Sequence, residues 1–209
     1  MTEFLRAHGW EIGRLTFEHL WLTLSAMLLA AAVGLPLGIL LTRREGWARP
    51  VIGFANVVQT VPSLALFGLL LPVPWLGENA ARLAILALTG YALLPILRNT
   101  YAGIRGVDPA LVDVANAMGM TGWQRLAKVE LPLAASVILA GVRTATVTCV
   151  GVATIAAAIG AGGLGELIFR GVASVDNSLV LAGAVPAALL ALGADAGLGW
   201  LEKKVAVRR

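Results

Sequence analysis

Arg143 and Asp195 are charged residues inside apolar runs, where ionic chemistry costs most. Arg143 lies about 15 Å, at a helical rise of ~1.5 Å per residue, beyond residue 133 where its run begins. Asp195 lies roughly 9–10 Å from the end of its own run by the same rise. A charge at such depth in a bilayer costs at least ~2.5 kcal/mol, so each side chain must face the interior and find a partner. Asp195 is the leading candidate partner of Arg143, within or between subunits, as a structural pair ahead of direct solute contact. Catalytic groupings are missing: His8 and His19 have no Cys or carboxylate cluster at metal-ligand spacing, and no serine–histidine pair or intramembrane carboxylate dyad is present. The glycine-rich stretch IGAGGLGELIFRG (159–171) has no following Lys-Ser/Thr, which excludes a phosphate loop. Gly160, Gly162, Gly163 and Gly165 instead predict a non-helical or close-packed gate segment, since backbone without side chains can close a pore and reopen it.

A second chemical stripe lies in NVVQTVPSLALFGLLLP. Asn56, Gln59, Thr60 and Ser63 fall at i, i+3, i+4 and i+7 beside Pro62. In hydrocarbon each needs a partner, so the stripe should face protein or water. One reading is helix–helix hydrogen bonding; the other is a wall of a solute pathway, with Pro62 loosening the helix for gating.

These groups need elements to position them, and composition says which kind. The chain has 209 residues, 58% hydrophobic and 13% charged, with a mean hydropathy of +0.84. Soluble domains carry about a quarter charged residues, so this is an integral membrane protein. The basic pI of 9.8 does not imply nucleic acid, because the cations cluster at the ends of apolar runs. Cys149 lies in such a run and reads as an inert buried thiol. About five spans are expected, over residues 20–41, 51–71, 83–97, 133–155 and 179–201. The length of the first span and the Arg43-Arg44 pair behind it favour a retained anchor over a cleaved signal. With the N-terminus outside, the inner face holds Arg43, Arg44, Arg49, Arg98, Arg105, Arg125, Lys128, Lys203, Lys204, Arg208 and Arg209 of the sixteen cations. Arg6, Arg14, Arg82 and Arg170 remain outside, so the positive-inside rule puts the C-terminus in the cytoplasm. Trp21, Trp47, Trp75 and Trp200 fall at expected span ends as interfacial anchors.

The one long polar stretch between spans is DPALVDVANAMGMTGWQRLAKVELP (108–132). Asp108-Pro109 is a helix start, and Leu111, Val114, Ala115 and Met118 form one apolar face. Gly119 ends that helix where a left-handed residue is needed. Thr121 and Gln124 restart a helix as a capping box, and Pro132 marks entry to the next run. Two short helices joined by a sharp glycine turn are predicted, facing the cytoplasm.

This stretch resembles the coupling loop of ABC importer permeases, whose pattern is Glu-Ala-Ala, three residues, Gly, nine residues, Ile-x-Leu-Pro. Asp113, Val114 and Ala115 match the triplet, Gly119 the glycine, and Val129, Leu131 and Pro132 the end, with Asp for Glu, Val for Ala and Val for Ile. With QTVPSLALFG, AGVRTATV and IGAGGLGELIF, the resemblance extends over about residues 19–202 and is to osmoprotectant permeases for glycine betaine, choline or carnitine. It implies an all-α membrane fold like that of the methionine importer, with a polar lead at 1–18, a permease domain at 19–202 containing the coupling loop at 105–132, and a basic tail at 203–209. It implies a transport subunit in a bacterial inner membrane, not an enzyme. ABC ATPase subunits would hold ATP and magnesium, leaving no cofactor in this chain. A second permease copy or a sister permease would complete the pore. A separate extracytoplasmic binding protein would deliver solute, because this chain ends at Arg209. Methionine or another amino acid is the alternative solute. A secondary transporter would need inverted repeats, and a channel or structural membrane subunit leaves the loop spacing unexplained.

Overall fold

The computed structural model describes residues 2–206, with side chains from residue 8 onward, so Arg6, Arg208 and Arg209 of the charge balance fall outside the described side chains. Among the described residues every regular element is helical. The polar lead is not a separate element: α1 runs unbroken from Thr2 to Arg43. The reason is a buried stripe at helical spacing, Leu15, His19, Leu22, Ala26 and Ala30, which passes straight through the expected boundary near residue 19. Arg14 and Glu18 pair one turn apart on its polar side.

The second expected span is a bent pair. α2 (Glu45–Thr60) and α3 (Ser63–Leu70) meet at 100°. Pro62 offers no N–H and disfavours helical backbone at Val61, which is extended at φ −68, ψ 126. α4 (Ala80–Arg105) is a full span, capped by Asn79. α5 (Pro109–Ala117) and α6 (Gly122–Arg125) form the polar hairpin. The second hairpin helix does not end before the membrane: a π turn (Leu126–Glu130) carries it directly into α7 (Leu131–Ala156). After a tight turn at 157–164 come α8 (Gly165–Ser174) and α9 (Asn177–Val205). Among the described residues four helices are long and apolar enough to cross a bilayer, or five spans if the bent pair counts as one.

α4 packs between α1 and α7, and α7 between α4 and α9. The core between α1, α4 and α7 is built from small and branched side chains, including Ala26, Ala30, Leu83, Leu88, Ala145, Cys149 and Ala153. Phe67 of α3 is fully buried in it, which anchors the short helix. Gly34 and Gly38 let α1 approach α4: a Cβ on Gly38 would stand 2.7 Å from Thr100 Cβ. Outward, large apolar side chains are bare, among them Leu28, Leu69, Leu189 and Leu192. Such a surface is stable only against lipid or protein. The bundle has two ends. Arg43, Glu45, Arg105 and Glu130 meet at the hairpin end, and Glu11, Glu18, Gly163 and Arg170 at the glycine end.

Candidate functional site

The hairpin is assembled by local capping. Asp108 accepts a hydrogen bond from the Ala110 N–H at 2.9 Å, and Pro109 opens α5. Gly119 takes φ +74, allowing the Met120 N–H to reach Ala115 O at 3.1 Å. Thr121 Oγ1 accepts from the Gln124 N–H at 3.3 Å while Gln124 Oε1 accepts from the Thr121 N–H at 2.9 Å, a complete capping box. Ala115 is buried, and Leu131 joins the cluster of Ile104, Leu126 and Ala134 that seats the hairpin on the bundle. Leu111, Val114 and Met118 remain exposed, Met118 at 71%. With Ala115, Met120 and Pro132 they line an open apolar groove of about 360 Å³. A rigid, bare apolar helix beside a groove is built to seat against a partner. Asp113 is exposed and lines a neighbouring cleft with Arg43, Arg105, Arg125 and Glu130.

Glu130 went unnoticed in the sequence. It is 3% exposed and accepts hydrogen bonds from Arg43, at the end of α1, through both carboxylate oxygens. Arg125 Nε donates to it at 2.9 Å, and Arg125 Nη1 donates to Asn116 Oδ1 at 2.7 Å. In the sequence Arg43 and Arg125 are legible only as topological charges, and the signal for Glu130 is an acidic residue directly preceding an apolar run.

Bending at Pro62 splits the polar stripe. Gln59 Nε2 donates to Tyr91 O at 2.8 Å, and Tyr91 Oη donates to the Val61 carbonyl that the break leaves free. Thr60 Oγ1 donates to its own helix at Val57 O. Asn56, Thr60 and Pro62 are exposed and Ser63 is half-buried. The break is thus stitched to α4 by Gln59 and Tyr91, while Asn56 and Thr60 look outward.

Arg143 meets Asp195 within the same chain, Nε to Oδ1 at 2.6 Å and Nη2 to Oδ2 at 3.2 Å. A second carboxylate, Glu202 at 3.2 Å from Nη1, was missed because it stands at the span end among Lys203 and Lys204. The guanidinium lies against Gly199 of α9, whose missing side chain makes room for it. One cation therefore bridges two acidic residues along one face of α9.

At the other end Gly160, Gly162 and Gly163 take φ +76, +86 and +84. The Gly163 N–H donates to Glu18 Oε2 at 3.3 Å. A Cβ on Gly163 would stand 3.1 Å from His19 Nδ1, and His19 Nε2 is 3.1 Å from Val150 O. The turn is thereby pressed onto α1 and α7. No cluster of three metal-ligating side chains occurs among the described residues.

The fold and these sites define a membrane transport subunit. Residues 34–207 match the family described as binding-protein-dependent transport system inner membrane component, and the chain belongs to it. It is 45% identical to the glycine betaine/carnitine/choline transport system permease protein OpuCB of Bacillus subtilis (strain 168), over 98% of this chain and 93% of that one. It is 44% identical to the osmoprotectant import permease protein OsmW of Salmonella typhimurium, over 94% of this chain and 90% of that one. The MetNI methionine ABC transporter, solved in inward-facing conformations, contains a chain of the same fold, with a TM-score of 0.86 at 24% identity over 97% of this chain and 99% of that one. The expected all-α ABC permease fold is therefore observed, and the protein is a multi-pass inner-membrane component.

Proposed function

We propose that this chain is the permease subunit of an ATP-driven importer for osmoprotectants such as glycine betaine, choline or related quaternary ammonium compounds. The single observation that carries the energy-coupling part is the capped hairpin that leaves Leu111, Val114 and Met118 bare beside an apolar groove. The names of the permeases it resembles across nearly its whole length support the solute class. Likeness to the methionine transporter concerns fold alone and does not favour an amino acid.

Arginine enrichment at the hairpin end supports the orientation: N-terminus outside, hairpin and C-terminus in the cytoplasm. There the α5 face enters a groove of an ABC ATPase subunit, which holds ATP and magnesium; this chain holds no cofactor and binds no nucleic acid. Two permeases, identical or sister chains, pair in the bilayer, and a separate extracytoplasmic binding protein delivers solute. Closure of the ATPase pair moves α5, and the bundle alternates between inward-open and outward-open states. The bent α2–α3 pair, with Asn56, Gln59, Thr60, Pro62 and Ser63, borders the pathway, and the Gly160–Gly163 turn gates its outer end. Arg143 and Asp195 hold α7 to α9. A quaternary amine is best recognised by an aromatic cage, and with aromatics at 6% of the chain that task belongs to the binding protein.

The test is uptake of labelled glycine betaine and choline into proteoliposomes carrying the permease, its ATPase and its binding protein. ATP-dependent uptake is expected, together with crosslinking of Met118→Cys to the ATPase. Uptake of methionine in place of the quaternary amines overturns the solute class; labelling of Met118→Cys from the extracytoplasmic side overturns the orientation.

A further inference from the structure

Glu130 is a buried carboxylate gripped by guanidinium groups from two separate elements, and its ion-pair network reaches a third. Arg43 is the last residue of α1, Arg125 belongs to α6, and Arg125 extends the network to Asn116 of α5. We propose that Glu130 is the positioning residue that fastens the hairpin to α1, so that displacement of the hairpin becomes displacement of the bundle. This rests on the reading of the hairpin as the ATPase contact.

The backbone prepares the junction. Glu130 closes the π turn Leu126–Glu130, and the extra residue that a π turn admits rotates the side chains that follow it. Within the turn itself Lys128 is exposed while Glu130, two positions on and so on the opposite side, is buried. α7 begins at the next residue, so one carboxylate stands where α1, the hairpin and α7 converge. A buried charge held by charge-assisted hydrogen bonds is stiff, because each bond lost leaves a desolvated group unpaired. The alternative path between hairpin and bundle is the apolar cluster of Ile104, Leu126, Leu131 and Ala134, which touches α4 and α7 and reaches α1 only through half-buried Ile39. Movement would reach α4 and α7 directly without Glu130, and α1 only at second hand, through its packing against α4.

Glu130→Gln is a clean perturbation of this joint. It removes the buried carboxylate charge, Arg43 is 35% exposed and can be hydrated, half-buried Arg125 keeps Asn116 and can still donate to the amide oxygen, and the caps at Asp108 and Thr121 do not involve Glu130. The hairpin should still fold and dock. The experiment uses the complete transporter in proteoliposomes and measures ATP hydrolysed and glycine betaine taken up in the same sample. Glu130→Gln is expected to keep binding-protein-stimulated hydrolysis while solute moved per ATP falls about tenfold or more, since the substitution weakens charge-assisted contacts to both Arg43 and Arg125. Arg43→Gln, which leaves Glu130 paired with Arg125, should uncouple in the same direction and decides the matter if Glu130→Gln does not assemble. Spin labels at Leu40→Cys and Ala110→Cys give an independent reading. Their separation should be the same with and without ATP in the parent transporter and should change with ATP once Glu130→Gln is added. Unaltered solute per ATP in both variants, or an ATP-independent label distance with Glu130→Gln, overturns the proposal. If the unmutated transporter shows no ATP-driven uptake, the functional reading falls and takes this inference with it.

Discussion

Replacing Gly119 tests backbone conformation alone, because a Cβ there would find nothing within 4 Å while φ is +74. The left-handed conformation costs an ordinary L-residue roughly 1–2 kcal/mol. With no clash to add to it, that is the full penalty on the hairpin turn, equivalent to a factor of about 5–30 in the equilibrium constant for forming it. If the turned hairpin is the form that docks, apparent ATPase affinity falls with its population, by up to the same factor. The assay is titration of the ATPase against permease in nanodiscs. Gly119→Leu should weaken binding measurably, by at most about 30-fold, with α-helical content and membrane insertion unchanged. Gly119→Asn should lose distinctly less, since Asn tolerates this region. Equal affinity for Gly, Asn and Leu refutes the argument, and so does equal loss for Asn and Leu, which would mean that side-chain bulk and not backbone torsion decides.

Three other outcomes follow from the geometry. Met118→Asp and Leu111→Asp should each abolish ATPase co-purification without lowering expression, since burying such a side chain contributes about 1.5–3 kcal/mol that a carboxylate would forfeit. Tyr91→Phe removes the donor to the Val61 carbonyl at the Pro62 break and should cost about 1–3 kcal/mol, read as a lower melting temperature in detergent; an unchanged melting temperature contradicts the stitching role. Arg143→Gln leaves Asp195 and Glu202 facing each other without their shared cation, so it should reduce folded yield more than Asp195→Asn, which leaves Arg143 paired with Glu202; the reverse order contradicts the bridge.

Features governed by neighbouring residues were legible from the sequence. The Asp108 cap, the Thr121–Gln124 box and the Gly119 turn each depend on residues within four positions, and all appear as expected. Apolar runs likewise located the spans. What escaped depends on distant partners. Pro62 was read as a weak point in a span, but the 100° bend depends on Phe67 being buried in the core and Tyr91 supplying a donor. Glu130 is invisible without Arg43, 87 residues away. Composition alone sets residues 1–18 apart; the buried stripe through Leu15, His19 and Leu22 carries the inward face of the helix across that boundary.

That unbroken first helix has a mechanical corollary. His19 and Arg43 are about 36 Å apart along it at ~1.5 Å per residue. His19 and its neighbour Glu18 press on the glycine turn at one face of the membrane, and Arg43 holds the carboxylate at the other. The rod is helical throughout but lacks one backbone hydrogen bond at Pro36, so a push on one end arrives at the other as translation or tilt, less the bend that Pro36 absorbs. The two mouths of the bundle are thus joined along one helix, and Pro36 is the point in it where their movements can part.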